Sequence, residues 1–110
     1  MLETPPRSST PEERLFAAVV GLALRDACLR PGKEGKRLRV AEDAMSAHRF
    51  IWTDAIDAYL HWLDMDAGQF RVRLENIMAD MSALKVSGFM PEERRAFRIN
   101  KRLWEEQHAL

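Results

Sequence analysis

The sequence predicts an all-α fold, a compact single-domain bundle of about five helices. Three observations carry this expectation. Apolar residues recur at three- and four-residue spacing along most of the chain. Residues that start and stop helices punctuate those stretches. No stretch alternates apolar and polar residues as a half-buried strand does, and no Asn-Gly or Asp-Gly hairpin turn occurs.

Residues 1–10, MLETPPRSST, hold two prolines and little to bury, and read as a flexible tail ahead of a helical domain over 11–110. Thr10 can cap a first helix, with Pro11 at its first position and Glu13 where a capping box places its carboxylate. That helix should run to about Leu29, stopped by Arg30-Pro31-Gly32. Its apolar residues cover most of its circumference, which marks it as the central helix of the core. Gly21 within it suggests a close helix crossing, and Cys28 a small buried hydrophobe. The loop Arg30 to Arg39 carries six charges, five of them positive. A second helix places Leu38, Ala41, Met45 and His48 on one stripe, with His48 as a core or rim histidine. Thr53 caps a third helix that turns Ile56, Leu60 and Leu63 inward. Asp66 and Gln69 open a fourth, in which Phe70, Leu74, Ile77, Met81 and Leu84 keep helical spacing until Val86-Ser87-Gly88 breaks it. Pro91 opens the last.

The chain has 110 residues, enough for one real core without disulfides or metal. Lysine plus arginine and aspartate plus glutamate are both 17, so a globally basic nucleic-acid binder is excluded, though a locally basic one is not. The longest apolar run, LFAAVVGLAL, is ten residues, about half of what a bilayer needs. The segment before it is charged and no cleavage signal follows, so the expectation is a cytoplasmic protein with no membrane association.

Trp62 to Leu74, WLDMDAGQFRVRL, has the plan of a helix-turn-helix. Leu63 ends one helix, Asp64-Met65-Asp66 turns, and a second helix leaves Gln69, Arg71, Arg73 and Asn76 outward, side chains that read base edges or hold phosphates. Against a DNA-reading role, Asp64 stands where a turn glycine is usual. Asp54 and Asp57 would also repel phosphate from the first helix. The plainer reading is a helical hairpin with a polar, solvated face.

In the last helix Ala96, Phe97, Ile99, Leu103 and Trp104 share one side. Arg94, Arg95, Arg98, Lys101 and Arg102 hold the other. The basic side would meet phosphate, with Lys36 and Arg37 adding contacts from the loop. Alternatively it would meet an acidic surface such as Asp54, Asp57, His61 and Asp64, which fall along one face of the third helix. Acidic helix against basic helix, with Phe97 and Trp104 as apolar anchors, would suit a protein-binding adaptor or inhibitor, or a homo-oligomer. Asp57 and His61 are too few for a metal site. No glycine-rich phosphate loop, nucleophile set or Cys-His pair occurs, so neither an enzyme nor a cofactor is expected.

The order LFAAVVGLALRDA, then AMSAHRFI, then a Trp-Leu-Asp-x-Asp turn into FRVRL resembles small helical proteins encoded in phages and prophages. It covers about residues 14–78, with Met65-Asp66 where such a turn often has Asp-Pro. The resemblance implies a mobile-element accessory protein that binds DNA, a host protein or a virion component. It brings no functional residue to a position in this chain. The expected function is therefore non-catalytic binding, first of nucleic acid, alternatively of protein.

Overall fold

The structure, a computed structural model, describes residues 10–108. Residues 1–9, most of the expected tail, lie outside the described residues. The chain runs α1 (Pro11–Ala27), β1 (Gly32–Glu34), β2 (Arg37–Arg39), α2 (Glu42–Trp52), a 3-10 turn (Asp54–Ile56), α3 (Asp57–Trp62), α4 (Ala67–Ala79) and α5 (Pro91–His108). The fold is mostly α, as expected. None of the described helices is long and apolar enough to cross a membrane.

Local cap chemistry sets most of the helix starts. Thr10 Oγ1 accepts the Glu13 amide at 3.1 Å and Asp66 Oδ2 accepts the Gln69 amide at 2.8 Å. Glu93 Oε1 accepts the Met90 amide at 2.8 Å ahead of Pro91.

Four expectations change. A two-stranded antiparallel ribbon replaces the charged loop, pairing Gly32 with Arg39, Lys33 with Leu38 and Glu34 with Arg37. Three-residue strands are too short to show alternation. The turn rests on Gly35 at φ +63°, which glycine adopts without steric cost.

The second change concerns α1, which lies at the edge of the bundle rather than its centre. It packs chiefly on α2 and buries only Val20 and Ala27, whereas Leu15 and Leu22 are 60% and 61% exposed. Ile51, Ile56, Leu60, Met78 and Phe97 form the interior, where α2 and α5 meet. A Cβ built on Gly21 meets nothing within 4 Å, so no close crossing exists there.

Third, the third helix is split. Asp54–Ile56 is 3-10, and α3 proper has six residues. The turn after it places Asp64 at φ +58°. An aspartate tolerates that region and a β-branched residue does not. Asp64→Val should therefore cost about 1–2 kcal/mol in urea denaturation, and Asp64→Gly should not destabilise.

Fourth, α4 stops at Ala79, five residues before the sequence pattern suggests. Asp80 Oδ1 accepts the Ser82 amide at 2.8 Å and turns the chain out of helix. Met81 and Leu84, assigned to the core by spacing, are 79% and 74% exposed.

Three helices converge on one carbonyl, at the C-terminus of α1. Ala27 O accepts from His48 Nε2 at 3.1 Å and from Asn100 Nδ2 at 3.0 Å. Trp52 Nε1 donates to His48 Nδ1 at 3.0 Å. The imidazole is thus the neutral tautomer with the proton on Nε2. His48 is a fully buried core histidine. Burial above all, and then the charge of Lys101, holds its pKa down at about 4 against the Ala27 bond and Glu105, which raise it.

Candidate nucleic-acid interface

The arginines that the sequence offers as ligands for phosphate are mostly engaged inside the molecule. Arg94 is fully buried. Its Nε donates to Asp80 O at 3.0 Å and its Nη2 to Ser82 O at 2.7 Å. Its Nη1 donates to Leu84 O at 2.9 Å and Phe89 O at 2.7 Å. One guanidinium therefore gathers the whole α4–α5 connection around itself. The signal for this lies in the connection: eleven residues without helix or strand must satisfy their backbone groups somewhere. Ser82 holds the Asp80 carboxylate below the usual range, with the Arg94 charge adding to the effect.

Arg98 donates to Met78 O at the end of α4. Arg71 donates to Ile51 O at 3.0 Å and Thr53 O at 2.7 Å, closing the C-terminus of α2, and reaches Asp57 Oδ1 at 3.1 Å. Lys101 lies over the Trp52 ring at 4.1 Å and between Glu75 and Glu105 at 3.7 and 3.5 Å. Arg102 is exposed but pairs with Glu106 at 3.3 Å. A guanidinium bound to carbonyls keeps its charge, but its donors are no longer available to a ligand.

The central hairpin keeps part of its expected face. Gln69, Arg73 and Asn76 lie together on the exposed side of α4, with Glu75 and Val72 beside them. Arg71 leaves that face for α2. The acidic stripe does not form one helical surface: Asp54 sits in the 3-10 turn, Asp57 binds Arg71, Asp64 is the turn residue, and His61 packs edge-on to Trp62. Of the expected apolar anchors, Phe97 is 1% exposed, lodged between His48 and Trp52. Trp104 is half-buried and stacks on His108 at 5.0 Å. The last helix thus turns its aromatic side into the domain rather than to a partner. Cys28 is buried as expected, and burial, with Glu93 nearby, pushes its thiol up to about 12, which leaves it protonated and unreactive.

The densest cationic surface left open is the ribbon. Arg30, Lys33, Lys36, Arg37 and Arg39 are all exposed. Among the described residues the one ion pair on the ribbon joins Arg39 to Glu34 at 3.8 Å, with both side chains about three-quarters exposed, which ties up little charge. Lys33 and Leu38, partners across the strands, line one wall of a groove of about 470 Å³, with Arg95, Ala96 and Ile99 of α5 on the other. Glu92 and Glu93 line the same groove, so Arg95 faces the cationic ribbon across a groove of mixed charge, while Arg73 stands apart on α4. Lys36 and Arg37 keep the exposed position that phosphate contact requires. No protein family, curated protein or solved structure matches this chain.

Proposed function

We propose that this chain is a non-catalytic binding domain that meets the phosphate backbone of a nucleic acid through the ribbon Gly32–Arg39, with Arg30 and Arg95 beside it. The density of exposed, largely unpaired cations on that ribbon carries the reading. A two-stranded ribbon is narrow enough to enter a major groove, and phosphate contacts need charge and reach rather than a shaped pocket. The exposed side of α4, with Gln69, Arg73 and Asn76, offers a second and more polar contact. An accessory role in a phage or other mobile element belongs to the same proposal and rests on the sequence resemblance alone.

Four or five phosphate contacts give an affinity that falls with salt at a log–log slope of about −4 on duplex DNA, with little dependence on base sequence. Anisotropy titrations of duplex DNA, single-stranded DNA and RNA at low salt should show binding. Lys36→Glu/Arg37→Glu should weaken it at least about tenfold and reduce the slope by about two. Arg102→Glu, about two turns beyond Arg95 on α5 and already paired with Glu106, should change it little. Absence of binding to all three probes at low salt, or a ribbon variant that binds like the parent, would refute the proposal.

A further inference from the structure

The groove between the ribbon and α5 carries opposite charges on its two walls where α5 begins. Arg30 and Lys33 stand on the ribbon side. Glu92, exposed and in no ion pair among the described residues, stands on the α5 side, with Arg95 a turn further along. Glu93 beside it already accepts the Met90 amide. Between the charges the lining is apolar, with Pro31 and Leu38 on one side and Ala96 and Ile99 on the other. Lys33 and Leu38 are cross-strand partners, so both project from the ribbon face turned to α5, whereas Glu34 and Arg37 project from the other face. A volume of about 470 Å³ is that of a small-molecule site.

Resting on the ribbon contacts above, we propose that the groove takes one unpaired base of the strand that the ribbon holds, which makes the nucleic-acid partner single-stranded. The charges select this occupant. A phosphate backbone cannot lie along both walls, because Glu92 repels it. A nucleotide unit meets each part with its complement: phosphate on Arg30 and Lys33, the flat face of the base on Leu38 and Ile99, and an exocyclic amino group on Glu92. Only an unpaired base can enter in this way, since a base in a duplex has both faces stacked on its neighbours. Cytosine, adenine and guanine carry an amino group that a carboxylate accepts, whereas thymine and uracil carry none. Glu92 is therefore a specificity-determining residue rather than a source of affinity.

Anisotropy titrations of the full-length protein at low salt compare oligodeoxycytidine, oligodeoxythymidine and a mixed-sequence duplex of equal length. Phosphate contacts alone favour the duplex, whose charge density is the higher. Oligodeoxycytidine is expected instead to bind at least about threefold more tightly than the duplex, and at least about fivefold more tightly than oligodeoxythymidine. Glu92→Gln should raise the affinity for oligodeoxythymidine, by removing a repelling charge, and narrow the difference between the two single strands to about twofold or less. Leu38→Ala should weaken oligodeoxycytidine at least about threefold and leave the duplex unchanged. Leu38 is 49% exposed, so the fold does not depend on it. A duplex bound as tightly as oligodeoxycytidine, single strands bound alike by the parent, or variants that move every ligand alike overturn the proposal and leave the ribbon contacts standing. No binding to any of the three overturns both. Free cytidine monophosphate that binds as tightly as oligodeoxycytidine overturns it too, and assigns the groove to a soluble nucleotide.

Discussion

Replacing Arg94 with alanine is expected to cost about 3–5 kcal/mol and to release the whole connection between α4 and α5. Four carbonyls, those of Asp80, Ser82, Leu84 and Phe89, converge on this one side chain. Each loses its donor at once, and the cavity left by a fully buried arginine sits against the core. Arg94→Lys keeps the charge but cannot present a planar fork of five donors to four acceptors, so it should recover less than half of the loss. Urea denaturation measures the cost. Hydrogen exchange over residues 80–90 should show protection in the parent and none in Arg94→Ala. A variant within about 1 kcal/mol of the parent would show that the carbonyls are equally well served by water.

Acid should destabilise the protein well before its carboxylates titrate. His48 titrates at 6.5 when unfolded and at about 4 in the folded protein, where burial above all favours the neutral form. The unfolded chain therefore binds the proton more readily. The stability that the neutral ring contributes is complete above pH 6.5 and drains away as the pH falls toward 4. The difference amounts to about 3 kcal/mol, with a slope approaching 1.4 kcal/mol per pH unit in the middle of the window. Denaturation midpoints measured from pH 7 to pH 4.5 give that slope. His48→Leu should be less stable at neutral pH, because Trp52 Nε1 and the Ala27 carbonyl lose a partner, but its slope should vanish. A parent profile that is flat across this range would show the ring protonated or hydrated in the native state.

The sequence made the helix starts legible and left the destinations of the long side chains hidden. Thr10, Asp66 and Pro91 act within one turn of themselves, so their neighbours in sequence are sufficient to interpret them. Burial of the Cys28 and His48 pattern was legible for the same kind of reason, since each sits on the apolar stripe of its own helix. The end of α4 was not, because Leu84 continues the helical spacing while Asp80 turns the chain out of helix and Arg94, ten residues beyond Leu84, holds it there. The place of α1 was not legible either. A helix apolar all round fits a central position, yet its alanines bury little wherever they lie, and the leucines alone decide the outward side. The basic face of α5 is where spacing and structure part furthest, since Arg94 and Arg98 are bound to carbonyls inside the domain. Spacing sorts side chains by direction from the helix axis, but it cannot name the distant carbonyls that Arg94 and Arg98 are long enough to reach. At the candidate site the exposure of Lys36 and Arg37 was legible, because the charged stretch around Gly35 holds little that could bury them. Arg71 could not, since its acceptors lie 18 and 20 residues earlier in the chain.

The carbonyl of Ala27 serves side chains 21 and 73 residues downstream. During translation the early helices therefore emerge with nothing to finish them: the slot over His48 and Trp52 stays open until Phe97 and Asn100 leave the ribosome. A message cut short ahead of Pro91 would yield a collapsed, protease-sensitive product rather than a smaller working domain.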